Sequence, residues 1–82
     1  MQKNKMPERF QEQQKKAFDL MMSRNKKYGD SWKVLSIQSI ANLCEMKMNR
    51  IAKLGEIDAK TEDEFFDIIN YACFALIKLN NK

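Results

Sequence analysis

Apolar residues recur at three- and four-residue intervals along most of the chain, the spacing that lines one face of an α-helix. Phe10, Ala17, Phe18, Met21, Met22 and Tyr28 share one side of a first segment, and Pro7 suits its opening turn. The pattern predicts a helix from about Pro7 to Lys27, stopped by Gly29. Trp32, Val34, Leu35 and Ile37 then form an apolar connector, read as a short helical piece. Ser39 offers an N-cap for a second long helix, which Gly55 ends. Residues 56–60 are a charged loop, and Thr61-Glu62-Asp63-Glu64 has the form of a capping box in which Thr61 caps and Glu64 reaches back. A third helix extends to about Asn80. The fold class read from this pattern is all-α, one small domain over residues 1–82 with three main helices. Between Phe65 and Ile77 the third helix is apolar on nearly every side, more than two other helices of so short a chain can cover. A homo-oligomer, a helical-bundle dimer or tetramer, is therefore expected.

Against this pattern a few polar residues stand out. Ile40, Leu43, Cys44, Ile51 and Leu54 share one face of the second helix, with Lys47 in the middle of it. A buried ammonium needs a carboxylate or a ligand phosphate, unless the side chain runs along the core edge to water. Asp67 and Asn70 are the strongly polar residues inside the apolar segment of the third helix. Glu64 and Asp67, three apart, project to one side and are close enough to share a divalent cation; Mg²⁺ takes one or two carboxylates together with substrate phosphates. The competing readings are a capping role for Glu64 and, for Asp67, an ion pair with Lys47 or Arg50. Asn42, Glu45 and Asn49 form a polar stripe on the side of the second helix opposite Lys47. Such stripes are most often solvated, and only a neighbouring subunit would let both faces of the helix serve one site.

Composition narrows the chemistry. The 82 residues include no His and two Gly, which removes Ser-His and Cys-His nucleophile pairs, His-ligated metals, P-loops and dinucleotide cradles. Cys44 and Cys73 stand far apart in apolar surroundings and read as reduced core thiols. No apolar leader opens the chain and the longest apolar stretch is too short to span a bilayer, so a soluble cytoplasmic protein without membrane contact is expected. The net charge of +4 is uneven: residues 1–33 carry nine Lys or Arg against four Asp or Glu, the remainder six against seven. A basic first helix favours phosphate-bearing partners, nucleotides or nucleic acid, although interspersed lysines are commonly just a solvated face.

The string Lys27-Tyr28-Gly29-Asp30-Ser31-Trp32, then Ser39-Ile40, Lys47 with Arg50-Ile51, Glu64, Ile68-Ile69-Asn70-Tyr71-Ala72 and Ala75-Leu76-Ile77 resembles nucleotide modification associated domain 1 over roughly residues 18–79. That family of phage and bacterial proteins is similar to the MazG-type all-α nucleotide pyrophosphatases. The resemblance implies paired subunits and E-x-x-E and E-x-x-D motifs holding Mg²⁺ against a nucleoside triphosphate. Glu64-x-x-Asp67 matches the second motif. Asn42-Leu43-Cys44-Glu45 has the spacing of the first, with asparagine in place of an acid, so the implied metal set is Asn42, Glu45, Glu64 and Asp67. Lys47 and Arg50 carry over as phosphate contacts, and Lys27, Tyr28, Trp32 and Asn70 as residues around the nucleotide.

The leading expectation is a Mg²⁺-dependent hydrolase that cleaves a nucleoside triphosphate to monophosphate and pyrophosphate, with Glu45 or Glu64 orienting the attacking water. It would act in the cytoplasm, the host's if the protein is phage-encoded. The alternatives are a non-catalytic nucleotide-binding module and a basic helical domain that binds nucleic acid or another protein through its first helix.

Overall fold

The computed structural model describes residues 5–28, 31–55 and 57–80, with side chains at all of these except 25–28, 31, 32 and 54. Three α-helices, α1 (Met6–Tyr28), α2 (Ile37–Leu54) and α3 (Ala59–Asn80), account for almost all of it, and a 3₁₀ turn (Ser31–Val34) lies between α1 and α2. The expected helices are all present, and the connector is the short helical piece that its apolar residues suggested. Among the described residues there is no strand, and no helix is long and apolar enough to cross a membrane.

Two helix starts differ from the sequence expectation, each by a competition between neighbouring caps. Ser36, not Ser39, caps α2: its extended backbone precedes Ile37, and the Ser39 backbone N–H donates to its Oγ at 3.0 Å. The earlier start adds the Ser36 carbonyl as acceptor for the Ile40 amide at 3.0 Å. At the other end, Gly55 takes the left-handed conformation (φ 64°) that its missing Cβ permits, and its amide donates to the Ile51 carbonyl at 3.3 Å.

For α3 the capping box lies three residues upstream of the expected one. The Lys60 amide donates to Asp58 Oδ1 at 2.8 Å, while the Asp58 amide donates to Thr61 Oγ1 at 3.0 Å. Asp58 is thus the cap and Thr61 the residue that reaches back, buried in doing so. Glu64, now a full turn inside the helix, is released from capping and projects toward α2.

α3 packs against both other helices and carries the fold's centre. Ala17 of α1, Ile40 of α2 and Phe66 of α3 are the buried apolar residues among those described. The rest of the apolar segment is only half covered: Phe65, Leu76 and Ile77 remain exposed in the single chain. Tyr71 and Phe74 pack edge to face with ring centroids 6.4 Å apart. The expectation of two core thiols holds less well. Cys44 is half-buried, and burial pushes its thiol upward in pKa against the opposing charge of Lys47. Cys73 is exposed.

Candidate functional site

Five charged side chains, drawn from all three helices, meet where α3 crosses its neighbours. Lys47 of α2 donates from Nζ to Asp67 Oδ2 at 3.0 Å and to Glu64 Oε1 at 3.5 Å. Arg50, one helical turn further along α2, donates from Nη1 to the same Glu64 Oε1 at 2.9 Å. From the other side, Arg24 of α1 donates from Nη1 to Asp67 Oδ1. The wrong-side lysine of α2 and the two carboxylates of α3 are therefore one constellation. It carries three cations against two carboxylates.

Burial grades this group from inside to outside. The Lys47, Glu64 and Asp67 side chains are 14–18% exposed, whereas Arg24 and Arg50 are 42% and 52% exposed. Removing Lys47 from water disfavours its charged form. The hydrogen bond to Asp67 and the charges of Asp67 and Glu64 outweigh that cost and hold its pKa above the ordinary lysine value. The two arginines can let go of their carboxylates at little cost, since half-exposed ion pairs contribute about 0 to 1 kcal/mol.

One atom of the group is unexplained by these pairs. Glu64 Oε2 is buried and has no hydrogen-bond partner. Oε1 takes both cations, so the second oxygen of a buried carboxylate is left as an open acceptor. Such an atom costs free energy unless it meets a donor or a cation. Metal ions that prefer hard oxygen ligands suit it, with Asp67 one turn away on the same side of α3. The donor set here is two carboxylates, enough for a Mg²⁺ that completes its shell with water and phosphate oxygens.

The other candidates from the sequence are placed as follows. Asn42 and Glu45 lie exposed on α2. At 100° per residue Glu45 points about 160° away from Lys47. Among the described residues no group of three or more Asp, Glu, Cys or His side chains comes together as a metal site. The four implied metal ligands thus divide within one chain into Glu64 and Asp67 on the shared face and Asn42 and Glu45 on the far side of α2. Asn70 donates from Nδ2 to the Ala17 carbonyl at 2.9 Å, a tie that holds α1 against α3 beside Asp67. The Lys27, Tyr28 and Trp32 side chains lie outside the described residues.

Arg24 is the member that the sequence reading overlooked as a site residue, taking it for part of the basic surface of the first helix. Its signal was positional: it stands three residues after Met21 and seven after Ala17, on the face of α1 that packs inward. A cation on a packing face needs a partner, and Asp67 supplies it.

Comparison with curated proteins and with solved structures finds no match. The family model described as nucleotide modification associated domain 1 matches residues 24–79, a span that begins at Arg24 and takes in Lys47, Arg50, Glu64 and Asp67. The chain belongs to the nucleotide modification associated domain 1 family.

Proposed function

We propose that the protein is a Mg²⁺-dependent pyrophosphohydrolase of a nucleoside or deoxynucleoside triphosphate, a MazG-like enzyme in phage or bacterial nucleotide modification. The observation that carries the proposal is the open Glu64 oxygen inside a mixed cluster of carboxylates and cations. Glu64 and Asp67 would hold the metal, which when bound supplies Lewis-acid polarisation and a water of lowered pKa. Arg24, Lys47 and Arg50 would exchange carboxylate for phosphate oxygens as the substrate arrives, and their charge meets that of the leaving pyrophosphate. The exposed arginines exchange readily, and Lys47 anchors the inner phosphate.

Glu64 would orient the water that attacks the α-phosphorus, and the proton of that water would pass to bulk solvent. The bond from that phosphorus to the bridging oxygen breaks, giving monophosphate and pyrophosphate. Glu45, the other candidate for orienting water, and Asn42 would reach the phosphates only from a neighbouring subunit.

The division of the four candidate ligands between two faces also favours a second reading, a nucleotide-binding module without catalysis. A panel of canonical and modified dNTPs with Mg²⁺, assayed for pyrophosphate and monophosphate together, separates them. Equal amounts of the two products, abolished by chelation, are expected. Nucleotide binding with no product would sink hydrolysis and leave the binding module.

A further inference from the structure

Glu64 and Asp67 offer four carboxylate oxygens, and three of them already face a cation. Arg24 donates to Asp67 Oδ1, Lys47 donates to Asp67 Oδ2 at 3.0 Å, and Lys47 and Arg50 both donate to Glu64 Oε1, at 3.5 and 2.9 Å. Glu64 Oε2 is the open one. A divalent ion shared by the two residues needs an oxygen from each, at about 2.0 to 2.1 Å for Mg²⁺. Glu64 can give Oε2 without losing a bond. Whichever oxygen Asp67 gives, a guanidinium or an ammonium must withdraw from it.

Lys47 is the main obstacle. Its ammonium already bridges the two carboxylates, the task that a shared metal would take over, and at 16% exposure it has little water to turn to. Three cations against two carboxylates leave the cluster with a surplus of one positive charge, which a divalent ion arriving alone would raise to three. Repulsion at such short range is far stronger in a part-buried site than in water. An anion reverses the balance. Phosphate oxygens give the ammonium and the guanidinium groups new acceptors and so release Asp67, and a di- or triphosphate also supplies the charge that offsets a metal.

We infer that the cluster is a lock: Lys47 and Arg24 hold Asp67 away from free divalent ions, and a polyphosphate opens it by drawing those cations onto its own oxygens. The lock rests on the metal-dependent reading proposed above and adds the order in which the ligands enter. The polyphosphate binds first or brings the metal with it, and the metal does not settle on Glu64 and Asp67 ahead of it. By linkage the two ligands then raise each other's affinity by the same factor.

The test titrates metal and anion separately on the full chain, in the cold, with folding checked by circular dichroism. Mn²⁺ alone is followed by its electron paramagnetic resonance signal, and a non-hydrolysable triphosphate analogue alone by calorimetry in the presence of chelator. The wild type is expected to bind the metal-free analogue and to hold Mn²⁺ alone weakly. Lys47→Met should reverse the pattern, holding Mn²⁺ alone roughly tenfold tighter or more and the metal-free analogue weaker by a similar factor. Arg24→Gln removes the more exposed partner of Asp67 at little cost to stability, and should shift Mn²⁺ affinity the same way by a smaller factor. It carries the comparison even if Lys47→Met fails to fold. A cation with only a structural role would not trade affinity for metal against affinity for anion. Mn²⁺ held no more tightly by the folded variants than by the wild type would overturn the inference. If Mn²⁺ then still broadens the phosphate lines of the analogue on the wild type, the metal-dependent reading stands without the lock; absence of that broadening would overturn both.

Discussion

Asp67→Asn is expected to lose stability and activity together. The substitution keeps the shape of the side chain and removes a charge that Lys47 and Arg24 both use. Lys47 is the member that suffers, because it is mostly buried and keeps only Glu64, at 3.5 Å. Stranding one partner of a buried pair costs about 3 to 5 kcal/mol, and the remaining carboxylate with the exposure of Arg24 brings the expected cost to about 2 to 3 kcal/mol. In a chain of this size that lowers the thermal midpoint by roughly 10 to 20 °C. Metal-dependent pyrophosphate release should disappear as well, and it should stay absent at low temperature where the variant is folded. A variant that melts with the wild type would show that the ion pairs are not what holds Asp67 in place.

The second large effect concerns the lysine. Lys47→Met removes the inner cation and leaves Glu64 and Asp67 facing each other, with only half-exposed arginines for company. The midpoint should fall by a similar amount, and Mg²⁺ should restore more of it than Mg²⁺ adds to the wild type, since the divalent ion takes over the place of the ammonium. Because the folded state raises the lysine's pKa, its contribution is fully present below the unfolded value of 10.5 and is lost only as pH climbs through the higher folded value. The melting difference between wild type and variant should therefore persist across the neutral range and close in strongly alkaline solution. Nucleotide affinity should drop at least tenfold at neutral pH, the loss of one phosphate cation of about 1.4 kcal/mol or more. If stability falls and affinity does not, the lysine is only a strut.

The helices were legible because their apolar spacing is long and unbroken, and the centre was legible because Lys47 and Asp67 violate that spacing. What the sequence could not rank was one capping residue against a nearby rival. Ser36 and Ser39, or Asp58 and Thr61, are each competent in isolation, and the starts that form stand beside the buried Ile40 and Thr61. That choice shapes the candidate site, since with Asp58 rather than Thr61 as the cap Glu64 is a partner of Lys47 and Arg50 instead of a capping residue. Pairing across helices was legible only in outline. An Asp67 bond to Lys47 or Arg50 was anticipated; the Asp67 bond to Arg24 depends on how α1 crosses α3, which no local pattern records. Asn42, Glu45 and Asn49 were legible from spacing as a stripe of the usually solvated kind, only the metal role of Asn42 and Glu45 came from resemblance, and the exposed position of all three on α2 accords with the solvated face.

The central claim is that Glu64 and Asp67 bind a divalent ion together with the phosphates of a nucleotide. Phosphorus NMR of a non-hydrolysable nucleoside triphosphate analogue bound to the protein, with Mn²⁺ in place of Mg²⁺, tests it most directly. The account predicts strong paramagnetic broadening of the bound phosphate lines for the wild type, and sharp lines for Glu64→Gln at concentrations where the analogue remains bound. Equal broadening in both proteins, or an analogue that binds with no response to Mn²⁺, would contradict it.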